Sequence, residues 1–453
     1  MKRPIPEAKE KNILFFLISV FLASSLIFKD GTSFILSLFL IILSVIFMLG
    51  KEDAKFLAIV FIISFFVRIV LMYLLHWQSY KAGFEGFISG DDRLYTLKAI
   101  KIALSWQHLP YNMNCDTHSP GYGLNPFTYI LALFFRLFEP NYLSSKLINC
   151  LIGSMAPLVI YLIAKDMFSA KVAKLSFALA SFYPSMVRWS IGNLRDPIII
   201  FLTVMTFYLL LALRKNRYRI MKSIAVLFIL VLLKKLQIVA FAAFLLIIAL
   251  FAVYNFFKIL RSKNKPVFLV VLIAVIILSI LFMACEHDNI KGSIVKFLQS
   301  TLDRSISLYI VDNAGYLAYD SHTIAQLRSG ILDLGSLVIF YFKAIGYFIL
   351  VPFPWRLSSL NQILAYPQIV LWYLLLFLSV VGFTKALKIS KENNFFIIMF
   401  FLIGISIFAM VESNMGSAFR HRDIFSFIIF IYAMAGLNHM FLKKEISAHG
   451  KGR

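Results

Sequence analysis

Long apolar stretches separated by short polar segments run along the chain from residue 13 to residue 442. Each apolar stretch is roughly 16 to 22 residues long, close to the length that a helix needs to cross a hydrocarbon core of about 30 Å. A membrane β-barrel would instead show short segments of alternating polarity. The pattern therefore predicts an all-α fold, a polytopic bundle of transmembrane helices.

The composition supports the same conclusion. The chain has 453 residues, of which 60% are hydrophobic and 15% charged, and it contains 47 Phe. So much apolar surface cannot be buried in the core of one water-soluble domain. We therefore expect an integral, multi-pass protein of the cell membrane (the inner or plasma membrane), with membrane lipid as a constant partner.

The charge is strongly positive, at +23, because 45 Lys and Arg outnumber 22 Asp and Glu. The basic residues cluster in short segments between apolar stretches, as in the cytoplasmic loops of membrane proteins. This distribution argues against nucleic acid as a partner. The clusters assigned to the cytoplasm lie within residues 165–174, 214–222, 261–265 and 385–391 and in a basic tail at 443–453.

The basic clusters also predict a topology for one transmembrane domain over residues 1–442. With the N-terminus in the cytoplasm, helices at 13–28, 34–49 and 56–75 bring the chain to the outer face. The apolar segments 127–138 and 334–351 must then lie at the outer interface, since the first is short and the second contains Lys343. The resulting map has about twelve crossings. The outer face is predicted to collect residues 77–122, 183–197, 286–330, 352–366 and 412–423.

One part of this topology stays open. Residues 224–233 form either a short crossing or the first part of one bent helix that continues to residue 257.

The outer segment 77–122 contains the sharpest candidate for chemistry, the adjacent acids Asp91 and Asp92. They precede a predicted interfacial helix with Leu97 and Ile100 on its apolar face. Adjacent carboxylates repel, which favours a raised pKa on one of them and suits a general base. Alternatively, the acids cap the helix or occupy its first turn.

Two further outer residues are candidates. His118 stands in a turn-rich sequence and could orient a ligand, or it is simply solvated. Together with Asp91 and Asp92 it could bind a divalent metal ion, although no cofactor is required by the pattern. Asp196 precedes Pro197 at the start of an apolar run, a spacing that helix capping explains, but it shares the predicted outer face with Asp91.

Several outer basic residues could bind an anion. Lys234 and Lys235 interrupt an apolar stretch against the positive-inside bias, so they either snorkel or hold a phosphate. Arg420 and Arg422 could fork onto a phosphate or form a solvated basic turn. Arg356 ends a stiff aromatic turn at the outer interface.

Residues 90–95, 118–122, 143–168 and 194–197, taken together, resemble the GT-C superfamily of membrane glycosyltransferases. The bacterial protein mannosyltransferase-like and lipid A aminoarabinose transferase-like branch is the most similar. The resemblance implies a GT-C-like fold and sugar transfer, expected to be inverting, from a polyprenyl-phosphate donor on the outer side. The acceptor would be a glycan, a lipid or a protein. Ser119 stands where the aminoarabinose enzymes have Lys, which argues against aminoarabinose as the donor sugar.

The resemblance also assigns roles to residues. Asp91 matches the catalytic base through its spacing of four to Tyr95, Asp92 matches the second acid, and Asp196 resembles a further acid at the start of a later helix. The predicted catalytic residues are therefore Asp91, Asp92 and Asp196. The predicted substrate-binding residues are Tyr95, His118, Lys234, Lys235, Arg356, Arg420 and Arg422.

Two other classes of function remain open at this point. A polysaccharide polymerase or ligase of the O-antigen type would rely on outer arginines such as Arg420 and Arg422. It would need no aspartate as a general base. A lipid or solute transporter would place polar residues within the membrane and show internal repeats. Arg68, inside the third predicted helix, is the residue that fits a transporter, although it could equally form a structural ion pair.

Overall fold

The computed structural model describes residues 19–49, 53–108, 125–138, 140–213, 218–260, 334–356, 363, 365–387, 391–412 and 415–441. Within these residues every regular element is a helix and there is no strand, which confirms the all-α prediction. The chain divides into two compact units, Met1–Lys165 with Ala173–Ile229 and Asp166–Val172 with Leu230–Arg453. The predicted single transmembrane domain stays a prediction.

The first unit contains a helical segment at 19–27 and the helices that follow it. These are α1 (Gly31–Leu49), α2 (Ala54–Lys81), α3 (Gly90–Ser105), α4 (Pro126–Leu137), α5 (Tyr142–Met167), α6 (Ala170–Phe182), α7 (Pro184–Ser190), α8 (Asp196–Ala212) and α9 (Arg219–Leu236). The end of α5, the start of α6 and the end of α9 belong to the second unit.

The second unit contains the remaining helices. These are α10 (Ile238–Leu260), α11 (Leu334–Leu350), a 3-10 turn (Pro354–Arg356), α12 (Tyr366–Ala386), α13 (Lys391–Val411), α14 (Met415–His421) and α15 (Asp423–Phe441).

Four of the described helices are long and apolar enough to cross a membrane: α2, α5, α12 and residues Asp423–Met440 of α15. Six further apolar stretches are shorter, at 10 to 17 residues. An integral membrane protein is therefore supported, whereas the predicted count of about twelve crossings is not confirmed. Helix α4, with 12 residues, rises only about 18 Å, which is less than a hydrocarbon core of about 30 Å, and its place at an interface stays a prediction.

Polar groups mark the two ends of α2 and α5. At one end, Asp53 precedes α2 and forms ion pairs with Lys165 at 3.0 Å and Lys174 at 2.6 Å. At the other end of α5, Lys146 is fully buried among polar groups. The 19 residues from Lys146 to Lys165 rise about 28 Å, close to the thickness of one hydrocarbon core. The Asp53 cluster contains the lysines that the charge pattern assigns to the cytoplasm.

The junction of α9 and α10 bears on the open question in the topology. Only Gln237 separates the two helices, and its N–H donates to Leu233 O while Phe241 N–H donates to Gln237 O. Reversal of direction between antiparallel helices takes a loop of about 2 to 5 residues. The junction therefore favours the bent helix over a separate short crossing.

Two glycines let α12 and α15 approach closely in the second unit. A Cβ atom on Gly382 would lie 1.9 Å from Tyr432 O, and one on Gly436 would lie 2.2 Å from Leu378 O. Small residues at such positions are a common device of membrane helix pairs, because they allow backbones to touch. This contact anchors the last described helix.

The predicted outer segments differ from simple solvated loops. Residues 77–81 are helical, since α2 continues to Lys81. Residues 183–197 contain α7, and Tyr183, Ile191 and Leu194 in this segment are buried. The predicted outer segment 286–330 lies outside the described residues.

Candidate functional site

The candidate acids lie at the start of α3, and Ser89 caps that helix. Ser89 has an extended backbone, and its Oγ accepts a hydrogen bond from Asp92 N–H at 3.2 Å. Asp91 and Asp92 occupy the first turn, where a negative charge interacts favourably with the helix dipole. Of the two structural alternatives for these acids, the structure shows the first turn and assigns the cap to Ser89.

Asp92 is fully buried and its carboxylate is held from three sides. Oδ2 lies 3.1 Å from Lys146 Nζ and accepts the Ile88 N–H at 2.9 Å. Oδ1 accepts the Asn193 N–H at 2.9 Å. An ion pair with additional hydrogen bonds is the arrangement that makes a buried carboxylate tolerable. Asp92 therefore joins α3, α5 and the segment before α8.

The ammonium group of Lys146 has a second partner that extends this arrangement. Nζ donates to Gly86 O at 2.9 Å, and the same carbonyl accepts a hydrogen bond from His76 Nδ1 at 2.8 Å. Since a carbonyl only accepts, Nδ1 of His76 carries a proton, which leaves Nε2 of a neutral ring as an acceptor. Gly86 has φ +82°, and a Cβ there would lie 2.1 Å from His76 Cε1, so glycine is required.

Two asparagines hold the segment that leads to α8. Asn193 Nδ2 donates to Thr96 Oγ1 and to Ser145 Oγ, both at 2.8 Å. Asn149 Nδ2 donates to the carbonyls of Gly192 and Leu194, at 2.7 and 3.0 Å. Buried amides that bind backbone in this way specify one conformation, because any other would leave polar groups unsatisfied. We call Asp92, Lys146, Asn149 and Asn193 the Asp92 network.

Asp196 and Arg188 adjoin this network along the chain. Asp196 is buried and begins α8, followed by Pro197, as the sequence predicts. Arg188 in α7 is half-buried, and its Nη2 donates to Ile88 O at 3.3 Å. Burial lowers the pKa of Arg188, and the negative charge of Asp92 acts in the opposite direction. A guanidinium group thus lies near the start of α3.

Asp91 is half-buried and lies one position before the fully buried Asp92. Tyr95, one turn later, is buried and its ring packs edge-on against Phe127 of α4, with centroids 5.6 Å apart. Tyr95 thus contributes to packing between α3 and α4, and its predicted contact with substrate stays a prediction. His118 lies outside the described residues.

Arg422 in the second unit is buried in the protein. Its Nη1 donates to Ile349 O at 2.9 Å and to Val351 O at 2.7 Å, and the guanidinium carbon lies 4.2 Å from the ring centre of Trp372. These contacts tie the start of α15 to the end of α11 and to α12. They indicate a structural role for Arg422, and phosphate binding by this residue gains no support.

The other predicted anion-binding residues are placed differently. Arg420 is half-buried in α14. Lys234 and Lys235 are exposed in the last turn of α9. Arg356 is the last residue of the 3-10 turn. Phosphate binding by these residues stays a prediction.

Arg68 in α2 is completely buried and is bound by neutral groups. Its Nε donates to Ser190 Oγ at 2.9 Å, and its Nη1 donates to Ser181 O at 2.9 Å and to both the carbonyl and the hydroxyl of Ser64. No carboxylate is paired with Arg68 among the described residues. These bonds connect α2 with α6 and α7, which is a structural role.

A divalent metal site was a further possibility for the acids. Both Asp92 oxygens already accept hydrogen bonds, and Oδ2 also pairs with Lys146. In the described part of the chain, no group of three His, Cys, Asp or Glu side chains could hold a metal ion. His118, the third predicted ligand, lies outside the described residues.

A cavity of about 640 Å³ opens in the first unit, next to the Asp92 network. His76 lines the cavity, and it shares the Gly86 carbonyl with Lys146. Tyr142 also lines it, and its ring centre lies 5.2 Å from that of Phe87. The lining residues are Phe28, Lys29, Asp30, Gly31, His76, Ile100, Pro140, Asn141, Tyr142, Leu143 and Ser144.

Comparison with known proteins supports one class of enzyme. A family model described as dolichyl-phosphate-mannose-protein mannosyltransferase matches residues 126–283, roughly a third of the chain. This match supports the GT-C superfamily and points to a membrane glycosyltransferase. It includes Lys146, Asn193 and Asp196 and begins after Asp91 and Asp92. No curated protein matches the chain significantly.

The sequence predictions missed several residues of the Asp92 network. Lys146 is a single cation near the start of an otherwise apolar stretch, a signal that could have suggested a buried partner. Asn149, three residues later, lies on the same helical face as Lys146 and is equally unusual in such a stretch. Nothing in the local sequence of Asn193 indicated that its backbone would meet Asp92.

Proposed function

We propose that the protein transfers a sugar from a polyprenyl-phosphate donor to an acceptor hydroxyl, with Asp91 as the general base. The observation that carries this proposal is the division of roles between two adjacent acids. Asp92 is committed to holding α3, α5 and the segment before α8 together. Asp91, fixed in the same helical turn, keeps partial exposure.

Three further observations support the proposal. Asp196 begins α8 directly after the segment that the Asp92 network holds. The match to the mannosyltransferase family model includes that segment and α5. The network also lies at the end of α5 opposite the Asp53 cluster, whose lysines the positive-inside rule assigns to the cytoplasm. An outer-face active site follows from that assignment.

The chemistry is a balanced substitution at the anomeric carbon. The acceptor oxygen forms a bond to that carbon while its proton passes to the Asp91 carboxylate, and the bond between the carbon and the phosphate oxygen breaks. The polyprenyl phosphate leaves with the electron pair. Attack from the face opposite the leaving group inverts the configuration.

The leaving phosphate needs positive charge, which stabilises the charge that develops on it. Arg188 supplies a guanidinium near the start of α3. We assign stabilisation of the leaving phosphate to Arg188, because its hydrogen bond to Ile88 O places it beside the segment that precedes the acids.

The proposal is tested by transfer from a mixed pool of radiolabelled polyprenyl-phosphate sugars in membranes that contain the full chain. Membranes lacking the chain are the background control. We expect labelled sugar in an acceptor fraction together with release of polyprenyl phosphate, and both should increase with the amount of chain. Release of neither product above background, with every donor in the pool, would contradict the proposal.

A further inference from the structure

The cavity beside the Asp92 network has the chemistry of a site for a neutral sugar. Its volume of about 640 Å³ is within the range of small-molecule sites. Its two charged lining residues, Lys29 and Asp30, have opposite signs, so it carries no net charge to attract an anion. Phe28 offers a largely exposed ring, at 79% of its surface, and Tyr142 a second one.

The polar groups of the cavity have hydrogen-bonding capacity to spare. Asp30 caps α1 by accepting from Thr32 N, Ser33 N and Ser33 Oγ, which leaves about one of its four acceptor positions for a hydroxyl. The hydrogen bond from Ser33 lowers the pKa of Asp30, which therefore stays ionised at neutral pH. This fixed carboxylate offsets the charge of Lys29, so the lining has no excess of positive charge to hold a phosphate.

Asn141 and His76 supply complementary groups. Oδ1 of Asn141 caps α5 by accepting from Leu143 N and Ser144 N, while its Nδ2 has no acceptor among the described residues. His76 donates through Nδ1 to Gly86 O, so that Nε2 can accept a hydroxyl proton. One amide donor, one imidazole acceptor and one carboxylate acceptor suit a polyhydroxy compound, whose groups both donate and accept.

We propose that this cavity, defined by Phe28, Asp30, His76, Asn141 and Tyr142, binds a neutral carbohydrate that serves as the acceptor. The inference rests on the proposed transferase function and narrows its acceptor to a glycan. The shared Gly86 carbonyl connects the cavity to the Asp92 network, through His76 on one side and Lys146 on the other. The apolar face of a sugar ring would pack on an aromatic side chain while its hydroxyls meet the polar groups.

The experiment measures binding and transfer separately on the purified full chain in lipid nanodiscs. Saturation-transfer NMR with a panel of neutral mono- and disaccharides reports binding without any donor. The test variants are Phe28→Ala, which removes a ring, and Asn141→Asp, which keeps the capping oxygen but loses the amide donor. Phe84→Ala is the matched control, because Phe84 is 67% exposed in the same unit and does not line the cavity.

We expect the native chain, Phe84→Ala and Asp91→Asn to bind the same saccharide, and Phe28→Ala and Asn141→Asp to bind it at least about tenfold more weakly. Excess inorganic phosphate should not displace the saccharide. In transfer assays the two cavity variants should raise the acceptor KM and leave kcat nearly unchanged. Asp91→Asn should lose kcat instead.

The site assignment is overturned if no saccharide binds, if both cavity variants bind like the native chain, or if phosphate displaces the saccharide. Normal transfer by both cavity variants would overturn the acceptor role and leave the proposed transferase intact. Saccharide binding that depends on the cavity, combined with no transfer from any donor, would support the site and count against the transferase.

Discussion

The ammonium nitrogen of Lys146 lies 3.1 Å from Oδ2 of Asp92, and neither side chain is exposed. This buried pair joins the first turn of α3 to the N-terminal end of α5. Each charge makes the other tolerable in the protein interior, so that the loss of one leaves the other uncompensated. The contact therefore determines where the neighbouring Asp91 lies.

Removal of either Lys146 or Asp92 should destabilise the contact between α3 and α5. We expect Lys146→Met to destabilise the protein by about 3 to 5 kcal/mol, as for other broken buried ion pairs. Thermal unfolding of the purified chain in detergent measures the effect. Lys55→Met, at an exposed position at the start of α2, is the matched control and should unfold like the native chain. Addition of Asp92→Asn to Lys146→Met should recover part of the stability, and an equally unstable double variant would count against the ion pair.

Asn149 should act as a positioning residue. Its substitution by Ala leaves the carbonyls of Gly192 and Leu194 without their amide donor, at a cost of about 1 to 3 kcal/mol in stability. The segment before Asp196 loses its anchor, so sugar transfer should fall more than stability alone explains. Transfer measured well below the unfolding temperature, compared with Ser154→Ala in the same helix, separates the two effects. Equal transfer by both variants would show that Asn149 does not position the segment before Asp196 for sugar transfer.

The Asp53 cluster should give the protein a dependence on acid pH. Burial alone would raise the pKa of Asp53, but hydrogen bonds from Lys174, Tyr161 and Lys165 prevail and lower it well below its usual value. A lowered pKa contributes stability above the unfolded value of about 3.9, and this contribution is lost as the pH falls further. The difference in Tm between the native chain and Asp53→Asn should be constant near neutral pH and shrink below about pH 4. A constant difference down to pH 3 would contradict this explanation.

Two neighbouring arginines in the second unit should behave differently. Arg422→Ala removes a buried clamp on Ile349 O and Val351 O, so we expect a marked loss of Tm and of folded protein. Arg420→Ala, at a half-buried position, should leave Tm nearly unchanged and raise the KM for the donor, if Arg420 binds phosphate as the sequence predicts. Unfolding curves and donor titrations on both variants check this contrast. An unchanged donor KM in Arg420→Ala would remove that residue from the binding site.

Local pattern was sufficient to predict much of the fold. The length and spacing of the apolar stretches predict the helices. Pro197 after Asp196 predicts the start of α8, because proline suits the first helical turn. The shortness of the apolar segment 127–138 likewise predicts that α4 is a short helix. The number of crossings does not follow so directly, because a break at Gln237 can bend a helix or separate two, and hydropathy does not distinguish these cases.

The candidate site was predictable only in part. Asp91 and Asp92 stand out as adjacent acids in a polar segment, but only the fold shows that Asp92 is buried against Lys146. The partners that hold it lie at positions 146 and 193, far away in sequence, and no periodicity relates them. The sequence predicts phosphate binding by Arg422 from its charge, but charge alone does not reveal that its guanidinium donates to backbone carbonyls.

Sugar transfer by Asp91→Asn at matched expression, with Glu85→Gln as the control, decides whether Asp91 is the general base. Glu85 is an exposed acid in the same segment and pairs with Arg93 at 3.5 Å. We predict that Asp91→Asn folds with a native Tm and loses transfer by about 10²- to 10⁴-fold, the usual contribution of a general base, while Glu85→Gln transfers normally. Transfer by Asp91→Asn at the native rate would contradict the account.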